Sequence, residues 1–162
     1  MQFIAETIIR TTPERLFAFH ELPDALARLT PPWEHSRIVQ SAVSLRPGSR
    51  TVVDVRVAPL VWIRTEALHT VYDPPRLFED ELVKGPFRRW RHRHVIAPDG
   101  AGSRLTDSIE FEPPLGVAGR WVAPWLILPR LRRLFAYRHE VTRVWCEQVT
   151  SAPAVPRYGA RA

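Results

Sequence analysis

Between Ser36 and Phe111 the apolar residues Val39, Val43, Val53, Val55, Val57, Ile63, Val71, Val83, Val95 and Ile109 recur in short alternating runs. A period of two places successive side chains on opposite faces, so this stretch reads as a meander of strands. Turn chemistry separates them at Arg46-Pro47-Gly48-Ser49, Ala58-Pro59, Asp73-Pro74-Pro75, Lys84-Gly85-Pro86 and Pro98-Asp99-Gly100-Ala101-Gly102. After Glu112-Pro113-Pro114-Leu115-Gly116 the period changes. Leu131, Leu134, Phe135, Arg138, Val141, Thr142, Trp145 and Val149 then follow at steps of three and four, which predicts a long C-terminal helix. Trp121, Trp125, Leu126 and Ile127 are expected to precede that helix.

Gln2 to Arg10 adds a first strand, and Thr11-Thr12-Pro13-Glu14 supplies an N-cap and a proline for the helix that follows. Leu22-Pro23-Asp24 divides this helix from a second short one carrying Leu26 and Leu29. The expected fold is α+β: seven antiparallel strands in a curved sheet, two short helices after strand one, and one long helix as the only cover for the apolar face. With 162 residues, one domain over residues 1–150 is expected, followed by a loosely ordered tail over 151–162. A strongly curved sheet around one helix is hard to fill from both sides, so a cavity between them is the expected functional site.

Charge and motifs narrow the function. The net charge is +6, but only one of the 23 basic residues is lysine, and arginine is scattered from Arg10 to Arg161. Phosphate affinity needs a contiguous basic footprint, so nucleic-acid binding is not expected. Cys146 stands alone, which excludes an internal disulfide and a cysteine zinc cage. The first residues, Met1 to Glu6, lack a basic region and an unbroken apolar core, so a cytoplasmic location is expected. Trp121 to Leu128 is far short of the ~20 residues of a spanning helix. Neither a nucleophile elbow nor a phosphate-binding glycine motif occurs, which argues against covalent and nucleotide-dependent chemistry.

The run Trp90-Arg91-His92-Arg93-His94 carries most of the remaining information. On a strand, Trp90, His92 and His94 share one side and Arg89, Arg91 and Arg93 the other. Burying three guanidinium groups is costly, so the arginines belong outside and the imidazoles inside. The short Gly85-Pro86 turn brings Asp80 beside His92. This makes Asp80, His92 and His94 candidates for acid–base work, while the same groups also serve as ordinary hydrogen-bonding partners. His-x-His offers two metal ligands, with His69, Asp80 or Glu66 as distant thirds; without a local third ligand neither a metal nor another cofactor is expected. Arg138 falls on the apolar stripe of the helix and requires an acid such as Asp80 or Glu66, or an anionic ligand group. Trp33, after Pro31-Pro32, is placed at a pocket rim. Trp121 and Trp125, flanked by Arg120, Arg130, Arg132 and Arg133, suit a transient contact with an anionic membrane or a protein.

The order of elements, together with Leu29-Thr30-Pro31-Pro32-Trp33, Phe78-Glu79-Asp80, Gly85 to His94 and Phe135-Ala136-Tyr137-Arg138, resembles the START-like, or SRPBCC, superfamily with its helix-grip fold. Within it the motifs resemble a small bacterial ligand-binding subgroup related to polyketide cyclases and coenzyme-Q-binding proteins. The resemblance covers about residues 1–150. It implies a hydrophobic or aromatic ligand of lipid, quinone or polyketide type, held for transfer or sequestration, and an epimerase-like partner. The residues expected to hold the ligand are Trp33, Asp80, Trp90, His92, His94, Phe135 and Arg138. The alternatives are a cyclase or dehydratase using the same groups, and a regulator that docks a protein partner.

Overall fold

The computed structural model describes residues 1–114 and 116–148. Seven strands form one antiparallel sheet: β1 Gln2–Ile9, β2 Ser36–Gln40, β3 Arg50–Ala58, β4 Val61–Asp73, β5 Leu77–Lys84, β6 Arg89–Asp99 and β7 Gly102–Glu112. The sheet order is β1-β7-β6-β5-β4-β3-β2. Successive hairpins account for β2 to β7, and β1 closes onto β7 across the length of the domain, pairing Gln2 with Glu110 and Ile9 with Ser103. Between β1 and β2 lie α1, Pro13–His20, and α2, Ala25–Arg28. Thr12 caps α1 by accepting from the Arg15 N–H at 3.3 Å, and Pro13 occupies the first turn, where its missing donor costs nothing.

The long helix α3 spans Gly116–Gln148. It begins earlier than the sequence reading places it, because Pro124 and Pro129 lie within it rather than before it. Each removes one helical hydrogen bond, leaving the carbonyls of Arg120 and Trp125 without that donor. Both prolines are exposed, so water can satisfy carbonyls freed on that side. Gly119 anchors the start of the helix: a Cβ there would lie within 3.0 Å of the Pro114 carbonyl, so only glycine permits this approach. Val149 and the tail expected over 151–162 lie outside the described residues.

Apolar side chains gather in two groups on the concave face. Ile9, Leu16, Phe17, Phe19, Phe78, Ile96, Leu105 and Cys146 pack where α1 and the end of α3 meet the sheet. Phe3, Ile109, Phe111, Ala123, Leu131 and Phe135 fill the other end. Between the two groups the concave face is polar.

Candidate functional site

Directly paired residues of an antiparallel sheet lie on the same face. Two transverse rows follow from the register. One runs Phe3, Ile109, His92, Asp80, His69; the next runs Ala5, Asp107, His94, Phe78, Tyr72. His139 reaches down from α3 and His20 from α1, so five of the six histidines converge on the concave face. The arginines take the opposite face as expected: Arg91 meets Glu110 at 2.8 Å and Arg93 meets Glu79 at 3.0 Å, each its cross-strand partner.

Asp107 is the centre of the cluster. It is buried, and its two oxygens are taken separately: His92 Nε2 lies 2.8 Å from Oδ1 and His139 Nε2 lies 2.6 Å from Oδ2. An ionised carboxylate only accepts, so both rings donate from Nε2. His94 Nδ1 approaches Oδ1 to 2.7 Å but off the hydrogen-bonding direction, and it has no hydrogen-bond partner. The His94 ring is fixed instead by stacking on Phe78, with centroids 4.0 Å apart and planes 12° apart. Ala5, cross-strand from Asp107, is small enough to leave His139 its approach.

Burial pushes the Asp107 carboxyl up, but the neighbouring His94 ring and the hydrogen bonds from His139 and His92 outweigh it and hold the group well below the usual carboxylate range. Burial pushes His94 well below the ordinary imidazole value, and the proximity of His92 adds to the effect. The cluster thus combines an ionised acid with a neutral imidazole. His20 is also lowered, by burial first, while its Nδ1–H donates to the Leu16 carbonyl at 3.0 Å.

The His20 shift has a sign that can be measured. Above pH ~6.5 the ring is neutral both folded and unfolded. As the pH falls below that value the unfolded chain takes up a proton that the folded chain refuses, so stability is lost until the folded-state pKa is reached. Urea denaturation at pH 7.5 and 5.5 should show lower stability at the acidic value. His20→Asn, which retains a donor for Leu16 but cannot titrate, should reduce that loss; an identical pH dependence in the variant would refute the assignment.

Asp80 stands where the hairpin argument places it, paired with His92. Its Oδ2 lies 3.6 Å from His92 Nδ1 and 3.9 Å from His94 Nε2. Both distances exceed a hydrogen bond. Neither acid expected beside Arg138 is in place: among the described residues no carboxylate comes within salt-bridge distance of it, and Glu66 lies 3.9 Å from Arg50 instead. Its Nε donates to the Leu29 carbonyl at 3.2 Å and its guanidinium lies over Phe135. The reason is rotational. The buried stripe of α3 is Leu131, Phe135, His139, Thr142 and Cys146, which puts Arg138 on its flank. Trp33 packs edge-on against Tyr137 with Arg133 over its ring, and Trp90 packs among Phe87 and Phe111.

Among the described residues two hollows lie toward the β1 edge, and none of Asp80, Trp90, His92 and His94 lines either. The larger, of about 410 Å³, separates β1 from α3 and is lined by Gln2 to Glu6, Leu128, Arg132, Ala136 and His139. The smaller, of about 260 Å³, is lined by Met1, Gln2, Arg89, Glu110, Phe111 and Glu112. The larger hollow lies between the sheet and the C-terminal helix, and beside it Phe135 packs against Phe3 and His92. His139 therefore has two neighbours that matter: the large hollow and Asp107. Trp121 and Trp125 are 78% and 82% exposed, with Leu126 beside them. No helix among the described residues is long and apolar enough to cross a membrane.

The family model described as polyketide cyclase / dehydrase and lipid transport matches residues 1–136. No curated protein matches the chain. Solved structures do. TTHA0849 from Thermus thermophilus is 18% identical with a TM-score of 0.67, covering 94% of this chain and 100% of that one. A norcoclaurine synthase point mutant from Thalictrum flavum, in complex with a transition-state analogue, is 12% identical with a TM-score of 0.70, covering 93% and 96%. A nucleoside-diphosphate sugar epimerase from Corynebacterium glutamicum is 22% identical with a TM-score of 0.66; the match covers 86% of this chain and 28% of the epimerase.

Proposed function

The chain belongs to the polyketide cyclase / dehydrase and lipid transport family, and from that premise we propose that it holds a hydrophobic or aromatic small molecule, of lipid, quinone or polyketide type, between β1 and α3 for transfer or sequestration. The observation that carries this reading is the 410 Å³ hollow, within the ~300–1,000 Å³ typical of small-molecule sites. Phe3, Ala5, Leu128 and Ala136 offer it apolar surface, and Glu6, Arg132 and His139 offer polar groups that orient a ligand. The exposed Trp121, Trp125 and Leu126 extend the reading to a transient contact with an anionic membrane during loading.

Ala136→Trp fills the hollow from an exposed helix position. Losing about 60 Å² of apolar contact costs about 1.5 kcal/mol, close to tenfold in affinity. A fluorescent fatty acid presented in anionic vesicles should therefore be taken up saturably by the wild type and at least tenfold more weakly by Ala136→Trp, with unchanged circular dichroism. Equal uptake by both proteins would remove the hollow as the site.

A cyclase- or dehydratase-type reaction is the second reading. One observation favours it: His139 lines the hollow while its Nε2 is held by Asp107 at 2.6 Å. A buried His–Asp pair at the edge of a ligand site can accept a proton from an acidic C–H. Turnover of a polyketide-type substrate that is lost in His139→Asn while binding persists would select this reading over simple carriage.

A further inference from the structure

Asp80, His92 and His94 present one oxygen and two nitrogens within 4.8 Å of one another. The protons on the two rings determine what those atoms can do. His92 commits its Nε2–H to Asp107, so in the neutral ring Nδ1 carries a lone pair, and that nitrogen is the one 3.6 Å from Asp80. His94 makes no hydrogen bond through Nδ1, but a lone pair there would be repelled by the Asp107 oxygen 2.7 Å away, so the ring proton belongs on Nδ1 and Nε2, at 3.9 Å from the same Asp80 oxygen, carries the lone pair. Three electron-pair donors therefore face one another with no hydrogen between them. The 3.6 and 3.9 Å separations from Asp80 are too long for hydrogen bonds. Ligand atoms around a tetrahedral ion with bonds of about 2.0–2.1 Å lie ~3.3–3.4 Å apart, so the three atoms, within 4.8 Å of one another, have to draw closer to share one ion.

We propose that Asp80 Oδ2, His92 Nδ1 and His94 Nε2 bind a divalent first-row transition-metal ion, with Asp107 as the outer carboxylate that orients the two imidazoles. Three protein ligands of this kind leave a coordination position open, as in metal sites that also take water or a substrate oxygen. Metal-bound histidines commonly donate their other nitrogen to a carboxylate, which fixes tautomer and ring orientation. Asp107 makes that bond to His92 and lies against the second nitrogen of His94. His69, next to Asp80 in the same cross-strand row, adds a buried Nδ1 with no hydrogen-bond partner. Asp80 and Asp107 place two carboxylates on the concave face, and Arg138, the cation both attract, makes its hydrogen bond to the Leu29 carbonyl rather than to either of them. This site is independent of what fills the hollow.

The test uses untagged full-length protein, stripped with a chelator and titrated with Zn²⁺ by calorimetry and with Co²⁺ by visible absorption. One ion per chain is expected, with the Co²⁺ bands of a low-coordinate nitrogen–oxygen site. His92→Gln and His94→Asn are the informative variants, because each can keep a donor toward Asp107 and removes only the nitrogen that faces Asp80. Since losing an outer partner alone costs about 10–100-fold in affinity, each should bind Zn²⁺ at least about 100-fold more weakly, as should Asp80→Asn. His35→Asn, at an exposed position, should bind as the wild type does. No stoichiometric uptake, a Co²⁺ spectrum identical to the free aqua ion, or wild-type affinity in folded His92→Gln and His94→Asn would overturn the proposal. The wild-type Co²⁺ spectrum decides the matter even where a variant fails to fold.

Discussion

Asp107→Ala is expected to lower the unfolding free energy by about 3–5 kcal/mol, because it removes the charged acceptor of two buried hydrogen bonds. The wild-type carboxylate carries a desolvation cost, which two hydrogen bonds, from His92 at 2.8 Å and His139 at 2.6 Å, offset. Bonds to a charged group contribute about 1.5–3 kcal/mol each, and the alanine leaves two buried N–H donors without an acceptor. Asp107→Asn should lose less, because its amide oxygen still accepts from one ring while its NH₂ opposes the other. A surface pair provides the internal contrast. Asp54 receives two bonds from Arg64, at 2.8 and 3.0 Å. The Arg64 side chain is half exposed, so solvent screens the pair and Asp54→Ala should cost far less than Asp107→Ala. Urea denaturation followed by circular dichroism measures both. If Asp107→Ala lost no more than Asp54→Ala, Asp107 would not be the centre of the cluster.

The strand periodicity and its Pro/Gly punctuation were enough to read seven strands and their hairpins, because alternation and turn chemistry are local properties. The same parity sent His92 and His94 inward and Arg91 and Arg93 outward, as the register places them. Asp80 was found because a short hairpin carries its own register. Asp107 was missed, although its signal was present: it alternates with Leu105, Ile109 and Phe111, so an acid occupies an apolar position of β7. What sequence does not print is that β6, two strands from β1, has Asp107 and then Ala5 as its neighbours across the sheet.

The helix was harder. Its stripe was read through Arg138, whereas the buried side turns toward His139, and a small rotation exchanges one residue for its neighbour in a pattern of threes and fours. Trp121, Trp125, Leu126 and Ile127 were expected before the helix, whereas they lie inside it together with Pro124 and Pro129, both of which face solvent. The hollow was legible only as a geometric tendency. Where it lies depends on how far rings such as Phe135 and Phe111 fill the grip, which is a property of packing.

Phe135→Ala tests that packing and the site together. The ring is 2% exposed and meets Phe3 at 5.5 Å, His92 at 5.3 Å and His139 at 6.1 Å between ring centroids. Truncating a buried phenylalanine costs about 3–5 kcal/mol, from lost transfer energy and from the void left behind. Here the void would adjoin an existing space, because Phe3 and His139 both touch Phe135 and both line the 410 Å³ hollow. The expected variant is less stable in urea by that amount but accepts a bulkier aromatic probe than the wild type does. An added ligand should restore part of the lost stability, since binding to the folded state alone stabilises it in proportion to the logarithm of ligand concentration. A variant that loses the stability and takes up no larger probe would mean that the space beneath Phe135 collapses rather than joining the hollow. The ring would then be a core filler, with no part in setting the size of the ligand.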